Sequence, residues 1–174
     1  MSEMQPYLIT SDEVSRLSRP MSIHIDQEKM DAYIRESEDI DLRPALGDAL
    51  LLDIKASPDK YDTLLEGGVY EDTCGVKHAL AGLKTALAYY TYARMVKNAD
   101  DHVTRFGFVN KQDDYSNRPD YREKSMAYND AYSVASSYLK ECVAYLNANK
   151  ADFPLYKGNG GIKSNLTTYK VIGD

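Results

Sequence analysis

Tryptophan is absent from the 174 residues, cysteine occurs twice and histidine three times. Two cysteines cannot build a disulfide scaffold or a four-thiolate zinc site. The N-terminal stretch "MSEMQPYLITSDE" has no basic region, apolar run and cleavage site in series, so a soluble chain that is not exported is expected. In a reducing compartment Cys74 and Cys142 are then expected to be small, buried apolar residues, and the Asn165-Leu166-Thr167 sequon to carry no glycan. His24, His78 and His102 belong to no Glu-x-x-His or His-Glu-x-x-His pattern, and Cys74 with His78 would give zinc only two ligands. No run approaches the roughly 18 apolar residues that a membrane span needs. A phosphate loop is also missing. In "KGNGGIKS" (157–164), Ile162 separates Gly161 from Lys163, whereas the phosphate-binding motif places its last glycine directly before the lysine. Neither a cofactor nor a catalytic site is expected.

Hydrophobic residues make up 43% of the chain, enough for a packed core in one domain. Charge is uneven. Residues 1–66 carry 15 acidic and 7 basic side chains, residues 67–156 balance, and residues 157–174 hold three lysines against Asp174. An acidic body with a basic tail suggests that the tail is attracted to an acidic surface, and it argues against a dedicated nucleic-acid binder. Fifteen tyrosines stand beside three phenylalanines. Tyrosine suits half-buried positions at interfaces and equally suits core edges, and composition leaves both open.

Periodicity predicts a mainly α chain, a helical bundle of about five to six helices. Thr10 and Glu13 form a capping-box pattern before "SDEVSRL", which Pro20 stops. Asp26 caps a second helix to about Ile40, with Met30, Tyr33, Ile34 and Ser37 on one face. "DLRPALGDALLLDIKAS" places Pro44 in a first turn and Leu46, Leu50, Leu51 and Ile54 at helical spacing. A short helix, "PDKYDTLLEGG", stops at Gly67 and Gly68. "GVKHALAGLKTALAYYTYARMVKNA" predicts a long helix with Val76, Leu80, Leu83, Leu87 and Tyr90 on one stripe. In the last helix, Tyr128, Tyr132, Ala135, Leu139, Cys142 and Leu146 form a sustained seam. Between these two helices, the 99–115 segment is long for a loop in a compact domain, and "VTRFGFV" predicts a strand or hairpin arm. Arg105, Phe106 and Phe108 would be costly to expose there without a surface to meet. Domain organisation reads as a helical body over 1–156 and an extended C-terminal arm over 157–174.

The segments "ESEDIDLRPALGDALLLDI", "YDTLLEGG", "CGVKHALAGLKTALAYYTYARMV", "RFGFVNKQDDYS" and "FPLY" occur in that order from about Leu8 to Tyr156. Together they resemble the head–tail connector (adaptor) proteins of tailed bacteriophages, most closely the small ring proteins of crAss-like phages and related prophage proteins. The resemblance implies a structural virion protein without an active site, made in the host bacterial cytoplasm and placed at the head–tail junction. It implies a ring, usually of twelve copies, beneath the portal protein, extending the channel for genomic DNA and carrying neighbouring tail or ring proteins. It further implies that the 99–115 loop reaches between subunits or toward the channel, and that the arm engages the portal or a neighbouring ring. The interface residues expected on this basis are Arg105, Phe106 and Phe108 in the loop. In the arm they are Ile162, Lys163, Leu166, Tyr169, Lys170, Val171 and Ile172. An acidic body would suit a channel wall that must not grip DNA. The alternative reading of the same features is a small helical protein-binding or regulatory module that forms no ring.

Overall fold

In a computed structural model, residues 7–21, 26–98, 101–104, 107–110 and 121–158 are described; of 101–104 and 107–110 only the backbone is described. The chain is mainly α, as periodicity predicts. Helix α1 (Ser11–Leu17) begins with the expected capping box, in which Thr10 accepts from the Glu13 N–H and Glu13 accepts from the Thr10 N–H at 2.8 Å. Helix α2 (Gln27–Ser37) is capped by Asp26, which accepts from the Glu28 N–H, and buries Met30, Ile34 and Ser37. It runs on through a π-helical turn (Glu38–Leu42) into α3 (Arg43–Leu46).

Gly47, at φ 83°, separates α3 from α4 (Asp48–Ala56), so the segment read as one helix is two. The buried Leu46, Leu50, Leu51 and Ile54 nevertheless share one core. A 3₁₀ turn (Pro58–Tyr61) then leads into α5 (Asp62–Glu66).

The long helix expected from residue 76 starts later. Residues 68–71 (β1) and 77–80 (β2) form an antiparallel hairpin, and α6 spans Leu83–Asn98. Val76 is therefore exposed beside the hairpin and does not belong to a helical stripe. Two glycines explain why. Gly67 and Gly82 both sit at φ 89°, and a Cβ on Gly82 would lie 2.6 Å from the backbone of Glu66 and Gly67. A left-handed residue cannot continue a right-handed helix, and this close backbone crossing turns the chain into α6. Cys74 lies in the hairpin turn and is exposed, contrary to the expected burial; Cys142 is buried, and both thiols are free.

Helix α6 is the centre of the body, packing on α1, α2, α5 and α7 (Tyr121–Ala148). Its alanines at 86, 88 and 93 are fully buried, as are Ala131 and Ala135 of α7, and small residues let packed helices approach closely. The α7 seam holds, with Cys142 and Leu146 fully buried and Leu139 packed against the core. Phe153 and Tyr156 of "FPLY" close the core at its end, Phe153 stacking on Tyr61 and meeting Tyr145 edge-on. Many tyrosines are thus spent inside the subunit. Tyr90 meets Tyr132 and Tyr89 meets Tyr138, both edge-on across the α6–α7 contact.

Candidate functional site

The connection between α6 and α7 is the first candidate. The two helices run antiparallel, since Tyr90 meets Tyr132 while Ala81, before α6, donates its N–H to Glu141. Two antiparallel helices are ordinarily joined by about 2–8 residues, yet here residues 99–120 intervene. They contain the expected hairpin: β3 (Asp101–Thr104) pairs antiparallel with β4 (Gly107–Asn110), and Phe108 stands opposite Val103. Arg105 and Phe106 lie outside the described residues. So do the arm residues Ile162, Lys163, Leu166, Tyr169, Lys170, Val171 and Ile172, and the described chain ends at Gly158.

The second feature is a buried charge network that the sequence reading did not single out. The π turn brings both Glu38 and Asp41 inward and leaves Ile40 60% exposed. Glu38, 2% exposed, accepts the Leu8 N–H at 2.5 Å and pairs with Lys55. Asp41 accepts from the Tyr132 hydroxyl at 3.0 Å. Its other oxygen lies 2.6 Å from Arg94 Nη1 at an angle unsuited to a hydrogen bond, so charge alone holds that contact. Arg94 also donates to Ser37 Oγ at 3.2 Å and approaches Glu36 at 3.7 Å. Burial, then Asp41, pushes the Tyr132 hydroxyl up to about 12, so it remains a donor at any ordinary pH. One signal could have located this network. The stripe Met30, Ile34, Ser37 continues at helical spacing onto Asp41, an acid where an apolar residue is expected. The arrangement ties α2, α4, α6, α7 and the N-terminal segment together.

A third feature is an open groove of about 300 Å³ between residues 7–10, α1, α4, α5 and the start of α6. Tyr7, Leu8 and Pro58 give it half-buried apolar walls over Ile54 and Leu65, and Asp59, Asp62 and Glu66 stand exposed at its edge. Lys84 bridges Glu13 at 2.8 Å and Glu66 at 2.5 Å. Burial opposes both charges, but the hydrogen bonds from Lys84 and Thr10 outweigh it and hold the Glu13 carboxyl below its ordinary value. Against the same burial, hydrogen bonds to Glu13 and Glu66 raise the Lys84 ammonium. Asp59 and Asp62 enter no ion pair among the described residues, so the groove keeps a negative edge.

His78 does not share a helix face with Cys74. It stacks on Tyr70, and its Nε2 lies 3.0 Å from Asp72 Oδ2. Asp72 also accepts the N–H groups of Val76 and Cys74, and these bonds, with His78, lower its carboxyl. Among the described residues no three His, Cys, Asp or Glu side chains are placed to hold a metal ion. Nor is any described helix long and apolar enough to cross a membrane.

No curated protein and no solved structure matches the chain. A family model does match, over residues 42–165, from the end of the π turn through α7 and into the arm. The chain belongs to DUF6712, a family of unknown function.

Proposed function

We propose that this chain is a structural subunit of the head–tail connector of a tailed bacteriophage. It assembles with copies of itself into a ring, twelve being the usual number for the proteins it resembles, below the portal protein. The ring extends the channel through which genomic DNA passes and carries the next tail or ring component. The basis is the ordered resemblance of five segments. The observation that carries the reading is the hairpin-bearing insertion between α6 and α7, two helices packed side by side that need only a short turn. Such an insertion suits a contact outside the subunit, and Phe106 and Phe108 supply apolar area for it. The net charge of −6 fits a wall that DNA slides past without being gripped.

A second reading is favoured by the tyrosines. Because they pair largely within the subunit, fewer aromatics remain for a ring contact, as expected of a helical protein-binding module that forms no ring. Negative-stain images of the purified protein, alone and mixed with the portal, separate the two. Closed rings support the connector reading, and isolated particles in both samples support the module.

A further inference from the structure

We infer that the groove between α1, α4 and α5 is the receptor for the C-terminal arm of a second copy of this chain, taking up its stretch from Ile162 to Lys170. This inference rests on the connector reading, because it names the contact that joins one ring subunit to the next.

The charges are complementary. The groove edge carries Asp59 and Asp62 without a cationic partner among the described residues, and both lysines that line it are occupied, Lys84 by Glu13 and Glu66 and Lys55 by Glu38. The arm carries Lys157, Lys163 and Lys170 against a single acid, Asp174. The apolar parts correspond as well. Tyr7, Leu8 and Pro58 offer half-buried walls, and the arm offers Ile162 and Leu166 between its lysines. A groove of about 300 Å³ is at the small end of the range that takes a few side chains and too narrow for a folded domain.

Length permits the exchange. Leu166, in the middle of the docked stretch, lies eight residues beyond Gly158, and at about 3.3 Å each these reach up to ~26 Å. That is enough to enter the groove of a subunit packed directly against the first. The two partners are also unlike each other, one a groove with an acidic edge, the other a segment rich in lysine. A head-to-tail contact that repeats around a ring uses such a pair, whereas a two-fold dimer needs one patch that matches itself.

The test uses full-length chains in a C74S background, so that the exposed thiol does not interfere. One chain carries D59C and a second carries L166C. The two are mixed under conditions where rings form, oxidised and run on a denaturing gel. The expected result is a covalent dimer of one chain of each kind, reduced at least tenfold when the arm also carries K163D and K170D. Restoration of the dimer when D62K is added to the groove chain would tie the loss to charge. The competing occupant is the chain's own arm, since Phe153 stacks on Tyr61 beside the groove wall. A D59C/L166C double variant that closes only within one chain would overturn the inference. So would the absence of any cross-link in a sample whose native mass shows rings, and the connector reading would then stand without this contact. A cross-linked dimer in a sample that never forms rings would support the groove pairing and remove the connector reading.

Discussion

Replacing Arg94 with methionine removes the cation from a site where two carboxylates have come inward. Arg94 is 9% exposed and Asp41 is 8% exposed, and the two are 2.6 Å apart. Methionine keeps most of the volume of the arginine stem, so the loss is electrostatic. Asp41 would keep its bond from Tyr132 but lose its only ion pair among the described residues, and Ser37 would lose a donor. Breaking one side of a buried ion pair costs about 3–5 kcal/mol. For a domain of this length each kcal/mol is about 2–4 °C in Tm, so R94M should melt roughly 6–20 °C lower. Urea unfolding followed by circular dichroism at 222 nm, on R94M, D41L and the double variant, measures the coupling. The double variant should be more stable than R94M, because it no longer buries an unpaired carboxylate. An R94M variant within about 0.5 kcal/mol of the parent would refute the reasoning.

The remaining expectations concern other parts of the fold. G82A should lose more than about 2 kcal/mol, since φ 89° and a backbone 2.6 Å away combine, whereas G47A, at φ 83° with open space around it, should lose only the cost of the left-handed backbone, about 1–2 kcal/mol; equal thermal midpoints for the two would contradict the close crossing. F106S/F108S should leave the melting of the free subunit unchanged and weaken assembly at least tenfold, measured by analytical ultracentrifugation; a lower melting temperature with normal assembly would mean that the rings serve the subunit's own core. Stability from the Glu13–Lys84 pair should be fully present above pH 4.5, the ordinary value of Glu13, and fade as pH falls through its lowered folded value. On the alkaline side it should persist below 10.5 and fade as pH rises through the raised value of Lys84. K84M should therefore flatten the acid limb of a Tm-against-pH curve, and an unchanged limb would show that the pair contributes nothing there.

Helices whose stripe of apolar residues repeats over several turns were legible in the sequence. Met30, Ile34 and Ser37 are buried as their spacing predicts, and so are Cys142 and Leu146 in α7. The reading failed over residues 76–81, where Val76 and Leu80 mimic helical spacing across a four-residue strand. What decides that segment is Gly82, whose backbone conformation is set by contact with residues 65–67, a long-range fact that local periodicity does not contain. The break at Gly47 was missed for a related reason: the leucines on either side keep their phase across it, so the pattern shows no gap. Charged burial is harder still. Glu38 and Asp41 read as solvated residues in "EDIDL" until Arg94, Lys55 and Tyr132 arrive from 17 to 91 residues away. The hairpin within 99–115 was expected, while the groove was invisible because its walls come from three distant stretches, residues 7–13, residues 54–66 and Lys84.

Native mass spectrometry of the protein mixed with the portal protein that the connector reading requires tests that reading most directly. The account predicts one dominant complex containing a closed set of subunits, most often twelve for the proteins this chain resembles. A one-to-one, non-cyclic complex, or a chain that stays monomeric at every ratio, would contradict it.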